Sequence, residues 1–288
     1  MKLVATVLTR NEDWIIRACL EAALRWNDVV CVLDDESSDE TGSICREVAA
    51  KYPGRVDYLR NVRSMTHWNE MDQRQILLER ARANGATHIS IVDSDEIMSA
   101  NLDDKIRGEF ERLSPGECLE VPMLAMRALD VYQDDGTVWS GAWLTLGFAD
   151  AQHLTWKPAE DGYQHHSRPP RGSAFTRRYL KSKEEGGVFH LQFANRRRLL
   201  AKHWLYAYVD HLRWPGREDA KKTSWKYSLA LEKPGHLGAV PFEWWENRDK
   251  KSIKLDGVPW QEEELRKMLA KHGEAAFAGI KLIQERPV

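Results

Sequence analysis

The stretch that constrains this chain most is Ile89-Ser90-Ile91-Val92-Asp93-Ser94-Asp95-Glu96. Three β-branched apolar residues run straight into three carboxylates. Such a run suits a strand buried on both faces, as in a parallel sheet covered by helices. The carboxylates then fall at its carboxyl end, where open α/β sheets bind their ligands. Carboxylates packed this closely repel one another, and a divalent cation with a taste for hard oxygen ligands, magnesium or manganese, relieves the repulsion. The simpler alternative is a polar turn whose Asp caps the next helix.

The preceding residues alternate as that strand requires. Residues 2–8 read as a strand, 12–25 as a helix and 29–33 as a second strand. That strand ends in Asp34-Asp35-Glu36-Ser37-Ser38-Asp39-Glu40-Thr41, where Ser38 or Asp39 can cap a helix running to about Tyr52. A short strand follows at Val56-Tyr58-Leu59, then a helix over 70–83 stopped by Asn84-Gly85, then the strand at 87–92. The order β-α-β-α-β-α-β implies a parallel sheet with right-handed crossovers. Two strands therefore end in acidic clusters at one sheet edge, and a third ends in Thr9-Arg10-Asn11-Glu12.

These pieces resemble the nucleotide-sugar-binding half of family-two glycosyltransferases of the GT-A fold. Val7-Leu8-Thr9-Arg10-Asn11-Glu12 is similar to that family's first strand and loop. Leu33 to Thr41 is similar to its Asp-Asp-Gly-Ser-Thr-Asp-Gly-Thr segment, with Glu36 in place of the usual glycine. Val92-Asp93-Ser94-Asp95-Glu96 resembles its Asp-x-Asp motif, and Asp72-Gln73-Arg74-Gln75 its Arg-bearing helical stretch. The resemblance covers about residues 1–105. It implies an α/β GT-A core and transfer of a sugar, with inversion, from a nucleoside diphosphate to a hydroxyl. It also implies that Asp34 or Asp35 bonds the base, that Thr9, Arg10, Asn11, Glu12 and Ser94 line the nucleotide cleft, and that Arg74 pairs with phosphate or base. Asp93 and Asp95 would hold Mn2+ or Mg2+, which offsets charge on the departing diphosphate. Many such enzymes add a late histidine as a ligand. His190, inside Val188-Phe189-His190-Leu191-Gln192-Phe193, is the choice here, with His165 and His166 as rivals.

By the same resemblance residues 106–193 form the acceptor-side half, with a helix at 102–113 and a strand at 118–126. This half supplies a carboxylate base to deprotonate the acceptor. Asp150 and Asp161 are the candidates, with Glu160, Glu184 and Glu185 behind them. Residues 161–188 are rich in Gly, Pro and His and suit a flexible lid over the donor. Residues 194–288 read as a helical extension, irregular over 233–258 and closing with a helix over 260–284.

Charge is unevenly spread. Residues 1–164 carry 17 Lys+Arg against 29 Asp+Glu, residues 165–226 carry 15 against 5, and the rest are balanced. The basic middle, with Arg196, Arg197 and Lys202 among its cations, is interleaved with aromatics. That pattern suits an acceptor with a phosphate backbone, such as DNA bearing hydroxymethylated bases. A saccharide, a lipid-linked acceptor or a non-catalytic nucleic-acid-binding role are the alternatives. Leu199, Leu200, Trp204, Tyr208 and Leu212 have helical spacing and read as core. No apolar run is long enough to cross a membrane, the first residues do not form a signal peptide, and the four cysteines read as reduced core residues. A cytoplasmic protein is the expectation.

Overall fold

The structure, a computed structural model, describes residues 1–61, 70–157, 167–215, 225, 228–280 and 286. The first half alternates as expected: β1 (Leu3–Thr9), α1 (Ile16–Trp26), β2 (Val29–Asp34), α2 (Thr41–Lys51), β3 (Val56–Arg60), α3 (Glu70–Ala83) and β4 (His88–Asp93). These four strands are parallel, in the order β3-β2-β1-β4. Every residue of β2 is buried, as a two-sided strand demands. Helices pack on both faces. Leu20, Ala23 and Val48 join one apolar cluster with Val30 and Val32, while Leu77, Leu78 and Ala81 join another with Cys31 and Ile89. Each fully buried Leu, Ile or Val contributes roughly 1.5–3 kcal/mol.

After β4 the chain makes a two-residue turn, Ser94-Asp95, into β5 (Glu96–Met98). There follow α4 (Asp103–Glu111), β6 (Cys118–Ala125), β7 (Val131–Gln133), β8 (Trp143–Ala149), β9 (Thr176–Arg178) and β10 (Val188–His190). The sheet continues from β4 through β8, β6 and β10 to β5, with β9 alongside β6. Its second half is mixed: β8 runs antiparallel to β4 and β6, and β5 antiparallel to β10. Gly147 lets β8 lie close on β4, because a Cβ there would sit 2.2 Å from the Ile89 carbonyl oxygen.

Two expected boundaries move for local reasons. The first helix starts four residues late, because the Glu12 carbonyl takes the Ile15 and Ile16 N–H groups across a turn. The strand expected over 188–193 stops at His190. The Leu191 N–H there donates to the Asp95 carbonyl at 2.9 Å, and residues 191–194 turn off as a 3-10 segment.

The last third holds α5 (Arg196–Arg213), β11 (Leu237–Ala239) and α6 (Trp260–His272). The α5 residues Leu199, Trp204 and Tyr208 are buried as their spacing predicts, and Tyr208 stacks on Phe277 with ring centres 3.9 Å apart. Trp244 and Trp245 pack on Phe189, so they hold the tail to the body. All four cysteines are buried and free. Among the described residues no helix is long and apolar enough to cross a membrane.

Candidate active site

Strand register brings the motif residues to one edge. Thr9 pairs with Asp34, and Leu8 with Asp93, so β1, β2 and β4 end level. The loops beyond them are stitched together. The Asn11 N–H donates to Ser37 Oγ at 2.9 Å, the Ser38 N–H to Asn11 Oδ1 at 2.7 Å, and the Glu12 N–H to Thr41 Oγ1 at 2.7 Å. Asn11 and Glu36 both adopt left-handed φ, 52° and 55°. That conformation explains why glycine is usual where Glu36 stands.

Asp34 is fully buried and its oxygens face inward. Oδ1 accepts the Ser37 N–H at 2.9 Å and Oδ2 the Tyr58 hydroxyl at 3.0 Å. Burial and that carboxylate push the Tyr58 phenol up to about 12. Asp35 instead takes Asn61 Nδ2 at 2.8 Å and pairs with Arg10 at 3.3 Å. Arg10 lies over the Trp260 ring at the start of α6, so the tail reaches this loop. Thr9 Oγ1 is buried without a hydrogen-bond partner.

The two aspartates of the Asp-x-Asp turn have different surroundings. Asp93 has both oxygens on guanidinium groups, Oδ1 on Arg74 at 3.2 Å and Oδ2 on Arg168 at 3.0 Å. Arg74 is therefore neither exposed nor free. It is buried, and its Nε donates to Glu70 at 2.7 Å. Arg168 also grips Glu96 through both oxygens, at 2.6 and 2.9 Å, and donates to the Ile91 and Thr145 carbonyls. Asp93 is thus a strut of this network, held by two guanidinium groups, and is not the free metal ligand expected.

Asp95, the second aspartate, faces basic side chains of two other elements. It is 4% exposed. His190 Nε2 lies 3.4 Å from Oδ1, and Lys202 Nζ lies 3.2 Å from Oδ2. Burial pushes the Asp95 carboxyl up, but Lys202 and His190 outweigh it and hold it well below the usual carboxylate range. Burial lowers His190, and Asp95 more than restores it. Behind them Glu12 is buried beside Asp95, which together raise its carboxyl to about 7, and it accepts the Trp14 indole N–H. Ser94, between the aspartates, is buried in the turn.

A divalent cation fits this corner in part. Among the described residues no group of three His, Cys, Asp or Glu side chains is spaced to hold a metal. Asp95 and His190 do converge as a carboxylate–imidazole pair. Magnesium and manganese sites are commonly completed by substrate phosphate oxygens and water rather than by a full protein cage.

The other expected residues fall elsewhere. Asp150 lies beyond β8 at the opposite end of β4, where its N–H donates to Thr87. Arg82 grips its two oxygens at 2.8 Å each. That placement removes it as the base. Asp161, with Glu160, His165 and His166, lies outside the described residues; Glu184 and Glu185 sit in an exposed 3-10 turn. Arg196 donates to the Leu231 carbonyl at 2.7 Å, and Arg197 forks onto Glu262 of α6. Both are exposed residues with one protein partner each. Lys202 pairs with Asp95.

Sequence reasoning missed Arg168, which it passed over in a loop-like stretch. It also missed that Arg198, Lys202 and Tyr206 recur every fourth residue on one face of α5. Arg198 lies over the Trp14 ring at 4.4 Å, and Lys202 is 5.9 Å from the Tyr206 ring centre. The spacing was the available signal.

Level acidic strand ends on a parallel sheet are thus continued by a mixed half, with a histidine opposite the Asp-x-Asp turn. Residues 5–116 match the family model described as Glycosyl transferase family 2. A comparison with curated proteins finds no match. Among solved structures the chain is similar to S. aureus TarS, at 13% identity over 100% of this chain and 50% of that one, with a TM-score of 0.42. It thus spans about half the length of TarS. It is also similar to the mannosyltransferase PcManGT from Pyrobaculum calidifontis in complex with GDP-Man and Mn2+, at 15% identity over 80% and 72% of the two chains, with a TM-score of 0.36. A third is glucosyl-3-phosphoglycerate synthase from Mycobacterium tuberculosis with Mn2+ and uridine diphosphate, at 16% identity over 42% and 43%, with a TM-score of 0.30.

Proposed function

We propose that the chain transfers a sugar from a nucleoside-diphosphate sugar to an acceptor hydroxyl by direct displacement with inversion, using a divalent cation. The observation that carries this is the convergence of Asp95 and His190 at the level ends of β1, β2 and β4. Asp95 and His190 would hold the cation, which supplies Lewis-acid stabilisation of the departing diphosphate. Arg74 and Arg168 fix Asp93 and Glu96, so the turn carrying Asp95 is rigid before substrate arrives. The Thr9 hydroxyl, buried without a hydrogen-bond partner, and Asp35 would take the nucleoside. Asp161 is the base that remains from the expected pair.

A saccharide hydroxyl and a hydroxymethylated base in DNA are the two acceptor readings. Of the basic stretch, Arg168, Arg196, Arg197, Arg198 and Lys202 are each turned onto a protein partner. Arg177, Arg178 and Arg197 keep 39%, 62% and 55% of their side chains exposed, so a cationic face remains for a phosphate-bearing acceptor.

The test is a thermal-shift panel of uridine, guanosine, cytidine, adenosine and thymidine diphosphates, each with and without manganese. A manganese-dependent shift with one nucleotide supports the reading and names the base. Acceptors, hydroxymethylated DNA among them, are then screened with that donor. No shift with any nucleotide would overturn it.

A further inference from the structure

The Asp95 carboxylate is claimed twice. One oxygen faces His190, the proposed cation ligand, and the other faces the Lys202 ammonium. A carboxylate 4% exposed needs a compensating charge in the free protein. Lys202 supplies it from α5, with its own side chain 17% exposed. An incoming divalent cation brings two further positive charges to the same corner. Asp95 then has a stronger partner and the ammonium is repelled. A diphosphate carries the negative charge that would hold Lys202 in place.

Lys202 does not stand alone. One helical turn earlier, Arg198 is 5% exposed, lies over Trp14, and has an Nε without a hydrogen-bond partner. The α5 face thus presents two cations in succession along the end of β1, where the phosphates of a bound nucleotide would run.

We propose that Lys202 is a resident counter-cation of the donor site, which neutralises Asp95 in the free enzyme, yields it to the divalent cation, and then pairs with the donor diphosphate. This rests on the nucleotide-sugar reading above. It assigns α5 to the donor rather than to the acceptor, and it makes the cation and the diphosphate bind better together than apart.

Two probes used separately test it: manganese alone, followed by the spin resonance of the free ion, and inorganic pyrophosphate alone, followed by calorimetry. Lys202→Gln should bind manganese about tenfold more tightly and pyrophosphate about tenfold more weakly than the wild type, the range of one charged hydrogen bond. Lys202→Arg should keep the wild-type values. A lysine that is merely structural would weaken both or neither, and that result overturns the proposal. So would loss of the fold in both Lys202→Gln and Lys202→Met. If the wild type takes up neither probe, the nucleotide-sugar reading falls with it. If the wild type binds both and the variant matches it, only the role of Lys202 falls.

Discussion

Lys202 Nζ and His190 Nε2 sit on different oxygens of the Asp95 carboxylate, at 3.2 and 3.4 Å. The side chain that is proposed to hold a cation is therefore also the anchor of a helix from the last third of the chain. Replacing it has two separable effects. Asp95→Asn should abolish transfer and the manganese-dependent thermal shift. It should also destabilise the protein by about 3 kcal/mol, because Lys202 is left as an unpaired buried charge. The double variant Asp95→Asn/Lys202→Met should recover most of that stability and none of the activity. Denaturant titration and a donor-hydrolysis assay together check this. A double variant no more stable than the single one would mean that the pair is not coupled.

Asp150 and Asp161 separate cleanly. Asp150→Asn should cost about 2 kcal/mol, since it breaks a two-pronged bond with Arg82, which also donates to Ala151 and Leu154. The turnover number should not change. Asp161→Asn should lower turnover at least about a hundredfold, in the range of lost base catalysis, and leave donor affinity intact. Steady-state kinetics beside a melting curve distinguish the two.

Glu36 stands at φ 55°, where an L side chain is strained. Glu36→Gly should stabilise the protein by about 1 kcal/mol, the strain relieved less the added freedom of the unfolded chain. Glu36→Val should destabilise it. Unfolding midpoints in urea decide the matter, and a Gly variant weaker than the wild type would show that the Glu side chain contributes something the loop geometry does not reveal.

Asp210 on α5 is raised to about 6 by burial, which Arg213 only partly offsets. Its folded value lies above its unfolded one, so the folded state holds the proton more tightly. This contribution to stability is fully present below about pH 4 and is lost as the pH rises through 6. Asp210→Asn should flatten the stability curve between pH 4 and 7 and be relatively more stable at pH 8. Melting temperatures across that range test it, and an unchanged slope would reject the assignment.

Much of the donor half was legible because its signals are local. Two-sided strands such as β2 and β4 announce themselves by composition, and Asn84-Gly85 marks the end of α3. Their level acidic ends follow from topology. His190 is singled out by the family resemblance, and its Nε2 lies 3.4 Å from Asp95. Other features depend on contacts between distant parts of the chain. That Asp93 is a strut depends on Arg168, 75 residues away, and that Asp150 lies at the wrong end depends on β8 running antiparallel to β4. The basic stretch read as a surface because charge counts do not show which way a side chain turns. Lys202 turns onto the buried Asp95 while Arg196 and Arg197 stay exposed, and only packing decides that.

The turn at Ser94-Asp95 joins β4 to β5, which stand four places apart in the sheet order. Traced through the ladder β4, β8, β6, β10 and β5, and back across that turn, the chain closes a circuit. Hydrogen bonds link four of the steps, and covalent bonds make the fifth. The carboxylate proposed to hold the cation is the clasp of that ring. The two halves of the sheet cannot slide past one another without first moving that turn, so a shear of the second half must also disturb Asp95.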